Sequence, residues 1–161
     1  MKALITGSFD PVTNGHLDII KRTAAVFDSV VVGIFINPEK KYLFDVNERI
    51  EMLSEAVKDL KNVTVDSSEG YVAKYVEQNS IDVIVKGVRN SVDFEYEAKM
   101  AKINKQIYSG AETLLIPASE GTELLSSTYV KDIFFAGESI DAYVPECVKV
   151  AFLKKNKLKT K

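Results

Sequence analysis

The stretch Ala3-Leu4-Ile5-Thr6-Gly7-Ser8-Phe9-Asp10-Pro11-Val12-Thr13-Asn14-Gly15-His16 decides the fold. It opens as a short apolar run, meets a glycine, turns through Asp10-Pro11 and arrives at Thr13-Asn14-Gly15-His16. Beyond it, Leu17, Ile20, Ala24 and Phe27 recur at the spacing of one buried helical stripe. A buried strand that runs through a glycine-bearing loop into a helix N-terminus is a phosphate cradle by geometry. The first amides of a helix have no intrahelical acceptor, and the helix dipole favours an anion beside them. The dinucleotide pattern G-x-G-x-x-G is absent, and so is the Gly-Lys-Ser/Thr of a P-loop, so an anion here is held in another way. His16, the only histidine of the chain, stands at the mouth of that helix.

Outward from this stretch, strands and helices alternate. Residues 29–36 predict a strand buried on both faces, and Pro38 ends it in a loop. Asp45 is a predicted N-cap for a helix that turns Ile50, Leu53, Val57 and Leu60 inward. A short strand at 63–65, a helix at about 71–78 buried through Val72, Tyr75 and Val76, and a strand at 82–85 ending at Lys86-Gly87-Val88-Arg89 follow. The longest helix is expected over about 91–108, and the fifth strand at 113–116. Ser126-Ser127-Thr128 predicts the cap of a helix ending near Gly137, and Pro145 the first residue of a last helix. The expected fold is α/β, a Rossmann-like doubly wound sheet of about five parallel strands with helices on both faces. A single domain over residues 1–161, closing in a C-terminal helix and a lysine-rich tail, is expected from the length and the lack of a linker. The tail lysines 154, 155, 157, 159 and 161 read as a solvated, frayed end.

Composition excludes several classes of function. No apolar run approaches the roughly 20 residues of a membrane span, and the N-terminus lacks the apolar core and cleavage site of a signal peptide. One cysteine, Cys147, permits no intrachain disulfide and suits a reducing cytoplasm. A net charge of −2 argues against a general nucleic-acid binder, yet it leaves room for a local basic pocket.

In an open parallel sheet the ligand crevice lies beyond the carboxyl ends of the strands. Residues 8–16, Lys40, residues 86–89 and residues 122–128 should therefore converge. That set holds cations, hydroxyls, loop glycines and one histidine, with no cysteine nucleophile, metal-ligand cluster or obvious carboxylate pair. Such a site orients and neutralises phosphates, and the chemistry it favours is direct transfer between bound phosphates. On spacing alone, Pro38-Glu39-Lys40-Lys41 reads as a solvated surface turn, and Asp93, Glu95 and Glu97 as a solvated first helical turn. Asp10 and Pro11 read as shaping the turn. Capping and anion binding draw on the same free amides, so both roles stay open for Ser126, Ser127 and Thr128.

The opening Gly7-Ser8-Phe9-Asp10-Pro11 with Thr13-Asn14-Gly15-His16 resembles the Thr/His-x-Gly-His signature of the small nucleotidyltransferases. Pro38-x-Lys40-Lys41, Lys86-Gly87-Val88-Arg89, Asp93-Phe94-Glu95-Tyr96-Glu97, and Ser126-Ser127-Thr128 with Val130-Lys131 extend the match over nearly the whole chain. Together they resemble the phosphopantetheine adenylyltransferase family, which joins the adenylyl group of ATP to 4′-phosphopantetheine. The resemblance implies that His16 stabilises the transition state, with Lys40 and Arg89 as further catalytic residues. Ser8, Lys40, Val72 and Lys86 would bind the acceptor. Ser8, Phe9, His16, Gly87, Val88, Arg89, Glu97, Thr122, Glu123, Leu124, Leu125, Ser126, Ser127 and Thr128 would bind ATP. Mg²⁺ carried on the ATP phosphates, a cytoplasmic homohexamer, and no nucleic-acid or membrane partner are also implied. Two positions depart from the family: Lys86 stands where arginine is common, and Ser8 where threonine is common. The rivals are an enzyme of the same superfamily with another phosphorylated acceptor, and a nucleotide-binding module that performs no transfer.

Overall fold

A computed structural model describes residues 1–159, with side chains through Lys157. Five parallel strands form one sheet: β1 (Lys2–Gly7), β2 (Ser29–Ile36), β3 (Val63–Glu69), β4 (Val83–Val88) and β5 (Thr113–Pro117). The helices are α1 (Asn14–Ala24), α2 (Val46–Val57), α3 (Val72–Gln78), α4 (Ser91–Ile107), α5 (Ser127–Phe135) and α6 (Glu146–Lys159). The alternation of strand side chains divides the interior in two. Ala3, Ile5, Val30, Val32, Val83 and Val85 pack on one face with Leu17 and Ile20 of α1, Leu53 of α2 and Phe152 of α6. Leu4, Val31 and Ile84 face the other way, against Ala73 and Val76 of α3. Both faces are covered, which is why the central strands are nearly continuous apolar runs.

The strand order is β3-β2-β1-β4-β5. From β1 the chain winds outward through β2 to β3, then crosses back to place β4 on the far side of β1. The winding direction reverses between β1 and β4, and a crevice opens where the loops from their carboxyl ends part in opposite directions.

Several boundaries differ from those expected. β3 extends to Glu69, because its ladder with β2, from Val30–Val63 to Ile36–Glu69, carries on through polar residues at the edge of the sheet. β4 continues through Lys86-Gly87-Val88, paired with Leu115, Ile116 and Pro117, so those residues belong to the strand and not to the loop after it. α1 stops at Ala24, and Phe27 reaches the core from the turn that follows. Pro145 precedes α6 by one residue. The expected frayed end is instead helical to Lys159, and Lys155 is anchored there, 2.5 Å from Glu48 and over the Phe44 ring. Lys161 lies outside the described residues. No described helix is long and apolar enough to cross a membrane.

Candidate active site

The crevice between the ends of β1 and β4 is a cavity of about 580 Å³. The β1–α1 loop forms its floor. Phe9 takes the left-handed conformation (φ 47°) and folds its ring back over Gly7, where an added Cβ would come within 3.0 Å of the ring. The same ring meets the His16 imidazole edge-on, with centroids 5.1 Å apart. Gly87 across the crevice allows a similar approach, since a Cβ there would lie 2.9 Å from Ile19 of α1.

His16 is placed by the start of its own helix. Thr13 is the N-cap, and its Oγ1 accepts from the His16 amide at 3.3 Å. In return, the Thr13 amide donates to His16 Nδ1 at 3.0 Å. This is a capping box in which histidine takes the part usually given to Glu or Gln. Because Nδ1 accepts from an N–H, the ring proton sits on Nε2, and Nε2 is a donor. Burial first, then the charges of Arg89 and Lys86, lower the pKa of His16 from 6.5 to about 4. The imidazole is therefore neutral near pH 7, a fixed donor and not a proton shuttle.

Two cations of β4 and the loop after it reach the crevice already paired. Arg89 engages Asp93 with Nε at 2.7 Å and Nη2 at 3.1 Å, and its Nη1 reaches the Leu125 carbonyl at 3.4 Å. That contact holds the Asp93 carboxyl below its ordinary range. Lys86 Nζ donates to the Thr6 carbonyl at 3.2 Å and to Thr6 Oγ1 at 3.1 Å, and lies 3.2 Å from Glu97. Asp93 and Glu97 are one turn apart on α4, so one helix sets both cations. Of the three carboxylates expected to form a solvated first turn, Asp93 of the first turn and Glu97 of the next are instead on the crevice wall.

Lys40 and Lys41 also line the crevice, and among the described residues neither side chain has an ion-pair partner. The segment that carries them is tied down at its far end by Asp10. That carboxylate is 4% exposed and accepts from Leu43 N at 3.0 Å, Phe44 N at 2.9 Å and Lys131 Nζ at 3.0 Å. Asp10 shapes the turn as expected, but it does so by bridging three segments of the chain. On the opposite wall, Ser126 caps α5 by accepting from the Tyr129 amide, and Ser127 Oγ donates to the Pro11 carbonyl at 2.8 Å. The Ser127 and Thr128 amides at the start of α5 have no intrahelical acceptor and remain as donors.

Of the residues expected at the site, Ser8, Phe9, His16, Lys40, Lys86, Gly87, Arg89, Glu97, Thr122, Leu125, Ser126, Ser127 and Thr128 line the crevice. Val72, Val88, Glu123 and Leu124 are not on its wall. Val72 begins α3 and packs against the second core cluster, while Leu124 is 83% exposed. Sequence reasoning missed Thr6, Ile19, Tyr42, Asp93 and Lys131 on the wall. The spacing of Arg89 and Asp93, four residues apart at a helix start, was the available signal for one of them. Along the wall, Lys40, Lys41, Lys86, Arg89 and Lys131 outnumber Asp10, Asp93 and Glu97. The chain as a whole carries a net charge of −2. A cationic crevice in an acidic protein selects a polyanion.

The model of the cytidylyltransferase-like family matches residues 4–133, and that match puts this sheet and its switch-point crevice in a nucleotidyl-transferring class. The phosphopantetheine adenylyltransferase of Clostridium kluyveri is 44% identical over 154 residues, covering 96% of this chain and 94% of that protein. Its counterpart from Clostridium tetani is 46% identical over 144 residues, 89% of this chain and 90% of that one. Among solved structures, a Vibrio parahaemolyticus protein assigned as a nicotinate-nucleotide adenylyltransferase superposes with a TM-score of 0.71 over 96% of this chain and 93% of its own. At 20% identity that likeness is one of fold. The chain belongs to the phosphopantetheine adenylyltransferase family.

Because His16 is the chain's only histidine, its state is directly readable. Imidazole ¹⁵N shifts should report the Nε2–H tautomer and a titration midpoint near 4. With the folded pKa below the unfolded value of 6.5, the unfolded chain takes up the proton first as pH falls. The stability contributed by neutral His16 is complete above about pH 6.5 and is lost as pH drops toward 4. A midpoint near 6.5 in the folded protein would show that the imidazole is solvated and free.

Proposed function

We propose that the crevice transfers the adenylyl group of ATP to 4′-phosphopantetheine, giving dephospho-coenzyme A and pyrophosphate. The observation that carries this reading is the neutral, cap-locked His16, a donor fixed among cations at the switch point of the sheet. An oxygen of the acceptor phosphate attacks the α-phosphorus in line, and the bond from that phosphorus to the bridging oxygen of pyrophosphate breaks. His16 Nε2–H donates to α-phosphate oxygens as their charge rises. Arg89, Gly87 and the first turn of α5 hold ATP, while Lys40 and Lys86 hold the acceptor phosphate. Ser8 and Phe9 lie between the two. The reaction calls for orientation and charge stabilisation and for no covalent intermediate on the protein.

Mg²⁺ on the ATP phosphates supplies charge neutralisation of the leaving pyrophosphate. The donor set fits a metal brought by the nucleotide, because Asp93 and Glu97 are engaged by Arg89 and Lys86. Mg²⁺ binds readily through substrate phosphates with few protein ligands. Incubation with ATP, Mg²⁺ and a panel of 4′-phosphopantetheine, glycerol phosphate and nicotinamide mononucleotide, with pyrophosphate as readout, tests the assignment. Release with either of the other acceptors at a comparable rate would overturn it.

The two cations should divide the substrates. Arg89→Ala should weaken ATP by on the order of 1.5–3 kcal/mol, since it removes a charge-assisted contact and leaves Asp93 uncompensated beside the nucleotide. Lys86→Ala should chiefly weaken the acceptor, because it exposes Glu97 in the same way. Titration calorimetry in which both variants lose the same ligand would refute this division.

The protein should also run as a hexamer. The number six rests on the family resemblance alone; Val92 and Tyr96 of α4 and Leu114 of the edge strand β5, 72%, 61% and 47% exposed, are apolar surface that contact between copies would cover. Sedimentation equilibrium that returns a monomer at micromolar concentration removes this expectation.

A further inference from the structure

We propose that Arg49 is a positioning residue for the acceptor half of the crevice, acting from beneath it through Ser8 and Tyr42. The inference rests on the adenylyl-transfer reading above. Arg49 lies in the first turn of α2 and is only 2% exposed. A charge buried that deeply is ordinarily paired with a carboxylate, since desolvating an ion is otherwise costly. Among the described residues, Arg49 has no such partner. Its Nη1 donates to the Ser8 carbonyl at 2.9 Å, its Nε donates to the Asp45 carbonyl at 3.3 Å, and its guanidinium carbon lies 4.1 Å from the centre of the Tyr42 ring. The charge is thus held by two carbonyl dipoles and one ring face, and no carboxylate among the described residues pairs with it.

Each of these contacts leads to the crevice. The bond to Ser8 fixes the peptide between Ser8 and Phe9. In a trans peptide the N–H points opposite to the C=O, so the Phe9 amide is directed away from Arg49. That amide has no protein partner among the described residues, and both Ser8 and Phe9 line the crevice. Phe9 itself sits at φ 47°, a conformation that persists in a side-chain-bearing residue only when its surroundings enforce it. The second route runs through Tyr42. Its hydroxyl accepts from the Asn37 amide at 3.0 Å, and the Asn37 carbonyl accepts from the Lys40 amide at 3.1 Å. One planar guanidinium therefore sets the phosphate-facing amide and the lysine loop relative to each other. A lysine in its place supplies a point charge without the fork or the flat face.

The test uses the full chain with Arg49→Lys and Tyr42→Leu, comparing Michaelis constants for the two substrates and amide exchange over residues 37–44. Both variants should raise the KM for 4′-phosphopantetheine by about tenfold and speed exchange of the 37–44 segment, while the KM for ATP rises several-fold less, since only Ser8 and Phe9 of its expected contacts are disturbed. A residue that only stabilised the fold would lower the active fraction, reducing kcat with both KM values unchanged, and that result overturns the proposal. Equal rises in both KM values overturn it too. If Arg49→Lys does not fold, Tyr42→Leu is read against Tyr42→Phe, which loses the Asn37 hydrogen bond but keeps the ring over Arg49; equal effects in the two refute the Arg49 route. A parent protein that turns over no acceptor of the panel would defeat the adenylyl-transfer reading. In that case the exchange of 37–44 still judges Arg49, and unchanged exchange in both variants refutes its role.

Discussion

Replacing His16 by alanine should lower kcat by roughly 10²–10³-fold while the dissociation constant of ATP changes far less, by analogy with the loss of one oxyanion-hole donor. His16 offers Nε2–H from a ring whose other nitrogen is already occupied by the Thr13 amide. In the proposed transfer, the α-phosphate oxygens it would face gain charge only as the α-phosphorus is attacked, so its contribution would fall in the transition state. In that transfer, ground-state ATP affinity would come from Arg89 and the free amides at the start of α5, which all line the crevice. A nucleotide-binding module without transfer would behave in the opposite way, with affinity falling and no turnover to lose. Pre-steady-state adenylyl transfer, measured beside ATP dissociation constants, separates the two. A variant that keeps the parental rate at saturating substrates would end the catalytic role of His16. Alanine also removes half of the capping box, so a modest loss of stability should accompany the loss of rate.

Asp10→Ala should cost on the order of 3 kcal/mol of unfolding free energy. The carboxylate receives three donors, and its removal strands the amides of Leu43 and Phe44 and the Lys131 ammonium without their acceptor. Phe44 is fully buried, so water does not readily replace the lost partner at its amide. Asp10→Asn keeps one carbonyl acceptor and gives up the charge, and should fall between the parent and alanine. Urea denaturation reads the difference, and a change below about 1 kcal/mol would show that the clamp contributes little. The same clamp holds the lysine-bearing segment to the β1–α1 loop. The alanine variant should therefore also bind the acceptor more weakly.

How much of this was legible follows the range over which each interaction acts. The strands declared themselves because Leu4, Val31 and Ile84 and their neighbours are apolar in runs, as burial on two faces requires. Asp45 and Ser126 were readable as caps because a cap is satisfied within three residues. The convergence of the loops around His16, Lys86, Arg89 and Ser127 followed from topology alone. The half of β3 beyond Val65 was not legible, because edge strands tolerate polar residues and the ladder to β2 leaves no mark in composition. On spacing alone Asp93 and Glu97 looked like dipole-favoured surface carboxylates; only the resemblance put Glu97 at the site, and the fold turned both toward Arg89 and Lys86. Asp10 gave no sign of a partner 121 residues away in Lys131. Arg49 sat unnoticed in an amphipathic helix, since a buried arginine and an exposed one leave the same periodicity.

The placement of Asp93 and Glu97 on adjacent turns of α4 has a thermodynamic consequence. On the proposed division of substrates, a nucleotide that drew Arg89 from Asp93 and an acceptor that drew Lys86 from Glu97 would both release restraints on one helix. Whatever the first ligand does to the tilt of that helix, the second ligand meets it already done. Linkage makes such an influence reciprocal, so any help that ATP gives to acceptor binding is returned in equal measure by the acceptor to ATP. The order in which the two substrates arrive would then be a matter of their concentrations, with the helix between them carrying the same free energy in either direction.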